Sequence, residues 1–260
     1  MRYFLGCLGS VIALAAATPA LADEAATDTP AITINGTATL VSDYRFRGIS
    51  QTDKNFAIQG SLTVSHESGL YVSVWGSSVN GYVVAATNGA AQEIDIIGGY
   101  KKSFGGTTVD VGVLYYFYPK TKAVGDATSS DFIEPYLAVS HTFGPVTAKG
   151  TINWAPKQKA LALNQISPSK SNVYLAGDLS AAIPGTPISL SAHLGRSFGP
   201  SWLATDSTGK NGYTDWGLGA SVTYKAITLG VQYIDTDARF LSPTKNVSKG
   251  GVVGSIGVSF

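Results

Sequence analysis

A chain of 260 residues with 44% hydrophobic residues carries only 13% charged ones, together with 30 glycines, 13 tyrosines and a formal charge of +1. Soluble globular domains average about a quarter charged residues and disordered chains combine low hydrophobicity with high net charge, so both classes are excluded. The near-neutral balance also excludes the basic footprint of a nucleic-acid binder.

Taken in chain order, residues 1–22 have the form of a secretory signal peptide. Arg2 is the positive start, Phe4 to Ala17 the apolar core and Ala20-Leu21-Ala22 a small-x-small cleavage site. Cleavage is expected before Asp23. The alternative, a membrane anchor, meets a short apolar run that ends at Pro19. Loss of the leader would remove Met1 and Cys7, the sole methionine and cysteine, so disulfides and thiolate chemistry are not expected beyond it. Residues 23–31 are expected to be a short periplasmic segment and 32–260 the folded body.

From residue 56 onward one signal repeats. Phe56, Ile58, Gly60, Leu62 and Val64 alternate with Ala57, Gln59, Ser61, Thr63 and Ser65, which is strand periodicity. It returns in Leu70 to Ser77, Thr108 to Phe117, Val173 to Ser180, Ile188 to His193 and Ile227 to Tyr233. No window shows a comparable helical period, and after residue 22 nothing approaches the roughly 20 apolar residues of a spanning helix. About twelve strands of roughly ten residues are expected, the length that crosses a bilayer when tilted.

The links alternate too. His66 to Gly69, Lys102 to Gly106, Thr142 to Pro145, Pro184 to Thr186 and Lys225-Ala226 are short and mostly punctuated by Gly or Pro. Arg45 to Asn55, Asn80 to Gln92, Pro119 to Ser130, Pro156 to Lys170, Phe198 to Gly212 and Thr236 to Lys249 are long and polar. Short and long links in turn predict an all-β, antiparallel, up-and-down transmembrane barrel with no plug domain. A soluble sandwich would also alternate, but its polar face would be rich in Lys and Glu rather than Ser, Thr, Gly and Ala. Phe260 ends a strand on an aromatic residue, which resembles the signal that the barrel-assembly machinery reads for insertion. Tyr100, Phe104, Phe143, Tyr224 and Phe260 on the turn side, and Tyr44, Tyr115, Phe117, Trp154, Tyr213 and Trp216 on the loop side, are expected to form two interfacial girdles. General strand preference for aromatics is the alternative.

The run Ser42-Asp43-Tyr44-Arg45-Phe46-Arg47-Gly48-Ile49-Ser50-Gln51-Thr52, then His66-Glu67-Ser68-Gly69-Leu70-Tyr71 and Tyr213-Thr214-Asp215-Trp216, resembles the TorF family of porin-type proteins. The resemblance is sharpest over residues 40 to 80. It implies an outer-membrane channel of Gram-negative bacteria and brings no substrate.

A lumen of about twelve strands is narrow, and small inward residues predict that it is water-filled, with Tyr71, Trp75, Tyr116, Tyr136 and Tyr174 constricting it. Asp95, Asp110, Glu134 and Asp178 with Lys149 are expected to make a mildly acidic wall beneath a mouth made basic by cations of the long loops and their flanks, including Arg45, Arg47, Arg196, Lys245 and Lys249. The alternative gives the loop cations to lipopolysaccharide phosphates and pairs the wall acids internally. Alternate spacing puts Asp43, Arg45 and Arg47 on one face, as a bidentate carboxylate or phosphate site or as a staple of loop to wall.

The expected function is passive diffusion of small hydrophilic solutes, by no enzymatic step and with no cofactor or metal. The expected partners are outer-membrane lipids, lipopolysaccharide and those solutes. A non-conducting structural or adhesin barrel is one alternative. A lipid hydrolase is another, for which Ser191 with His193 is the nearest dyad. Outward Gly60, Gly98, Gly150 and Gly177 leave an oligomer open.

Overall fold

A computed structural model describes residues 31–80, 90–119, 130–162, 169–241 and 245–260. The leader, most of the 23–31 segment and parts of four long links lie outside the described residues.

Twelve strands close into one antiparallel barrel. In chain order they are β1 (Ile32–Val41), β4 (Ala57–His66), β5 (Leu70–Ser78), β6 (Gln92–Phe104), β7 (Thr107–Phe117), β8 (Phe132–Phe143), β9 (Val146–Ala155), β10 (Asn172–Ala182), β11 (Ile188–Phe198), β12 (Tyr213–Tyr224), β13 (Ile227–Thr236) and β14 (Gly251–Ser259). A two-residue pair, β2 (Arg45–Phe46) and β3 (Ile49–Ser50), lies apart from the barrel within the first long link. Every barrel strand pairs with its chain neighbour and β1 closes on β14, so no edge is left unpaired. The only other regular element among the described residues is a short 3-10 turn at Lys159–Ala162.

Alternation sets the two faces. Ile58, Leu62, Val64, Val72, Val111, Leu137, Leu175, Leu194, Leu218 and Leu229 stand exposed on the outside, an apolar wall far larger than a soluble monomer shows and one suited to hydrocarbon. Tyr100, Phe104, Phe143, Tyr224 and Phe260 are exposed at the short-turn end, and Tyr115, Trp154 and Trp216 at the loop end, so the girdles are largely present. Tyr44 and Tyr213 are not in them: both are 1% exposed, because each points into the barrel. Some turns are tighter than their composition indicates. Strand β6 runs on to Phe104, and Gly105 and Gly106, both at positive φ, suffice to reverse the chain.

The seam between β1 and β14 is the shortest in register, Thr37↔Ser259 to Val41↔Ser255. It is extended by the last residue: the Gly36 amide donates to the Phe260 carbonyl (2.8 Å), and the Phe260 amide to the Gly36 carbonyl (3.0 Å). The Phe260 ring covers Gly36 so closely that a Cβ there would sit 2.5 Å from Cε2. Gly36→Val is therefore expected to displace the ring and lower unfolding stability by about 1–3 kcal/mol, read as an earlier urea midpoint.

The lumen has two unlike halves. Near the short turns Thr63, Ser180, Ser189, Thr223 and Thr228 are half-buried, and cross-strand hydroxyl pairs such as Thr63–Ser73 (2.6 Å) and Thr223–Thr228 (3.0 Å) line the wall. Toward the loops the interior is filled. Tyr44 and Phe46 from the first link, Ala160 and Leu161 from the 3-10 turn, and Leu203 with half-buried Trp202 from the 199–212 link pack against Ile97, Leu114, Tyr116 and Phe132 of the wall. The expected water-filled lumen is thus corrected for the loop-end half. The filling comes from long links folded inward, not from a separate domain.

Candidate functional site

The site is built around the first long link. Asp43 gathers its base: its carboxylate accepts from Arg45 Nε (2.5 Å), Ser50 Oγ (2.5 Å) and Thr52 Oγ1 (3.2 Å). Arg45 Nη1 also donates to the Gly48 carbonyl (3.0 Å) and the Lys249 carbonyl (3.1 Å). Between β2 and β3 the chain reverses on Arg47 (φ 47°) and Gly48 (φ 82°), two consecutive positive-φ residues, as a type I′ hairpin turn requires. Glycine takes that conformation freely, arginine at a cost of order 1 kcal/mol. A Cβ on Gly48 would lie 2.8 Å from Thr236 Cβ and 3.0 Å from Asp215 Cβ, so the hairpin tip lies against the β12–β13 wall.

This reversal corrects the expected common face of Asp43, Arg45 and Arg47. The first two pair at the base, while Arg47 projects the other way. Neither arginine belongs to a basic mouth, since their exposures are 4% and 1%.

Arg47 crosses to the wall. Its Nη2 donates to Glu134 Oε1 (2.7 Å) and its Nη1 to Asn172 Oδ1 (3.4 Å). Its guanidinium carbon lies 4.8 Å from the Phe46 ring centroid and 4.1 Å from that of Tyr174, a cation held between π faces. Glu134 Oε2 accepts from Tyr116 (3.1 Å) and Asn153 (3.3 Å). Beside the hairpin, Tyr44 donates to Glu93 Oε1 (2.9 Å) and stacks edge-on with Trp75 at 5.4 Å. Asp95 is buried next to Glu93 on the same strand face.

Nearer the short turns are two polar clusters. Asp110 accepts from Tyr71 (2.9 Å) and Tyr136 (3.2 Å), whose hydroxyls touch each other, and lies 3.6 Å from Lys101. His193 has Asp178 at Nδ1 (2.7 Å), and Asp215 and the Tyr174 hydroxyl at Nε2, each at 3.0 Å. Lys149 stands opposite Asp178 in the β9–β10 register. All of the expected wall residues, Trp75, Asp95, Asp110, Tyr116, Glu134, Lys149, Asp178 and His193, face inward. Composition did not single out Glu93, Lys101 or Asp215, although the inward parity of β6 and β12 carries all three. Arg196, flanking a long link, lies at the loop-side end of β11, where it faces outward and donates to Thr214 Oγ1 (2.9 Å).

The hydrolase dyad does not form. Both ring nitrogens of His193 are engaged by acids, and Ser191 Oγ is buried without a hydrogen-bond partner, so no base is in reach of that hydroxyl. Among the described residues no three His, Cys, Asp or Glu side chains come together as a metal cage.

The loops over the mouth are stapled by Asp206. Its carboxylate accepts from the Thr208 amide (2.9 Å) and hydroxyl (2.6 Å), the Lys210 amide (3.1 Å) and the Arg239 amide (3.1 Å). Burial alone would raise its pKa, but these donors outweigh burial and hold it below the ordinary aspartate value. A depressed folded pKa stabilises the ionised state, fully so above the ordinary aspartate range of about pH 4 and progressively less as pH falls through it. Asp206→Ala is expected to weaken local closure by about 2 kcal/mol, roughly 30-fold, seen as faster amide exchange in residues 206–210 and 239 at neutral pH. The wild type should approach that behaviour below about pH 4.

Comparison with known proteins follows the same lines. No curated protein sequence matches the chain. Among solved structures, the NanC porin is 13% identical with a TM-score of 0.57, over 88% of this chain and 99% of that one. The outer membrane phospholipase A of Escherichia coli is 12% identical with a TM-score of 0.47, over 87% and 89%. An anion-selective porin from Comamonas acidovorans is 10% identical with a TM-score of 0.39, over 88% and 98%. At such identities the first of these likenesses establishes the fold alone, a closed antiparallel β-barrel. The sequence profile of one family matches residues 24–255, nearly the whole folded body, and the chain belongs to that family, Gcw_chp, described as bacterial proteins of unknown function.

Proposed function

We propose that the protein is an outer-membrane channel for small hydrophilic solutes, held closed by its first long link. In this reading the loop end faces outside and the short turns face the periplasm. The observation that carries it is the division of the lumen: a half-open, hydroxyl-lined vestibule leads to a charged constriction where Arg47 bridges a hairpin to the wall. A barrel stabilised only as a scaffold has no need of buried charges at its filled level, because such charges cost several kcal/mol to desolvate. The resemblance of residues 42–52 to TorF porins, and the porin name of the structurally similar NanC, support the same reading. Inward acids Asp43, Glu93, Asp95, Asp110, Glu134, Asp178 and Asp215 outnumber inward Arg45, Arg47, Lys101 and Lys149, so the open state favours cations.

Planar-bilayer recording of the refolded chain tests this. Rare openings with a cation-selective reversal potential under a salt gradient are expected; strong anion selectivity would overturn the charge assignment. The filled loop end favours one second reading, a barrel that never conducts, and total silence of both the wild type and hairpin variants would establish that instead.

A further inference from the structure

The wall residues that receive Arg47 are fixed without it. Glu134 is held through Oε2 by Tyr116 and Asn153. Asn172 donates its amide to the Phe198 carbonyl (2.6 Å) and Ser197 Oγ (3.3 Å). The Tyr174 hydroxyl is bound to Asp215 (3.0 Å). What they leave pointing at the lumen is one carboxylate oxygen, one amide oxygen and one aromatic face, two acceptors and a π surface with no donor. That set recognises a planar cation. All of it is carried by barrel strands β8 and β10, whereas its occupant is carried by a link. The occupant fits imperfectly: Arg47 Nε is buried with no hydrogen-bond partner, its Nη1 contact is long, and its backbone is at positive φ.

We propose that this wall pocket is a recognition site for solutes bearing a guanidinium group, and that Arg47 is a tethered internal ligand which such a solute displaces. A free guanidinium is not bound to the strained turn and can centre its donors on the two acceptors, so it competes with the tethered one. Occupancy of the pocket stands on the geometry alone; displacement as an opening step rests on the channel reading.

The test uses the full chain folded in detergent, with methylguanidinium chloride as probe against sodium chloride at equal ionic strength. In Arg47→Ala, millimolar methylguanidinium is expected to raise the melting temperature saturably by several degrees. In the wild type, whose pocket is filled, and in Arg47→Ala/Glu134→Gln, it is expected to do little. Equal shifts in all three proteins, or none in folded Arg47→Ala, overturn the site. Should Arg47→Ala fail to fold, Arg47→Met, which keeps the apolar stem between the rings, carries the same comparison. Methylammonium separates charge from planarity: an equal shift with it overturns the guanidinium assignment. In a bilayer, methylguanidinium is expected to raise wild-type open probability several-fold, and not to do so in Glu134→Gln. A melting shift in a barrel that never conducts would uphold the site and overturn the channel reading; conduction without the shift would do the reverse.

Discussion

In the proposed channel, Arg47→Ala is expected to convert a mostly closed barrel into one that is open most of the time. The substitution removes the cation of a pair whose side chains are 1% and 0% exposed, leaving the Glu134 carboxylate buried with only Tyr116 and Asn153 to face it. Removing one partner of such a pair costs the closed state about 3–5 kcal/mol, whereas an exposed pair would contribute less than about 1 kcal/mol. At 1.4 kcal/mol per tenfold, the closed-to-open equilibrium shifts by roughly two to three and a half orders of magnitude. The hairpin base retains Asp43 with Arg45, Ser50 and Thr52, and the Tyr44–Glu93 bond, so the tip is freed while the link stays attached and the barrel stays closed as a sheet. Arg47→Lys keeps the charge but loses the planar stack on Tyr174 and the second donor, and should fall between wild type and alanine. Single-channel recording reads the open fraction directly. Wild-type conductance in folded Arg47→Ala would sink the idea that this hairpin is the closure.

The strands and their faces were legible because alternation is a local property. Lipid outside and a lumen inside impose period two on each strand separately, so Ile58, Leu62 and Val64 declare their face without knowledge of any partner strand. The inward carboxylates follow from the same parity. The hairpin was not legible, because its direction depends on one backbone torsion. Arg47-Gly48 is a turn dipeptide, but Asp, Asn or Gly usually leads a type I′ turn, and alternate spacing counted straight through residue 47 as though the strand continued. The same blindness hid Tyr44 and Tyr213, whose aromatic rings satisfy an interfacial girdle and a packed lumen equally well by sequence. Where a long link goes once it leaves the barrel is set by which wall side chains can receive it. Glu134 is 87 residues from Arg47, a separation no spacing rule spans.

A methyl group added at residue 195 tests how much of the site depends on shape rather than charge. Gly195 lies on β11 opposite Asp215 of β12 and Ala176 of β10, directly beneath the Tyr174 hydroxyl. A Cβ there would overlap that hydroxyl and come within 2.6 Å of Tyr174 Cζ and 2.9 Å of Asp215 Oδ2. The hydroxyl is not the free end of a flexible chain: it is bound to Asp215 and His193, and its ring carries the Arg47 guanidinium. Making room therefore costs overpacking of about 1–3 kcal/mol and weakens a hydrogen bond to a charged group contributing about 1.5–3 kcal/mol. Gly195→Ala is expected to lower unfolding stability by about 3–5 kcal/mol on those terms and to loosen the Tyr174 face of the Arg47 site with it. Gly177→Ala is the matched control on the neighbouring strand β10. It faces outward and nothing lies within 4 Å of its added Cβ, so the lower backbone entropy of alanine should leave it unchanged or up to about 1 kcal/mol more stable. Urea midpoints of the two variants should move in opposite directions or differ by the full overpacking cost. Equal small effects would mean that the Tyr174 ring swings aside freely, and that the pocket around Arg47 is not held by the wall.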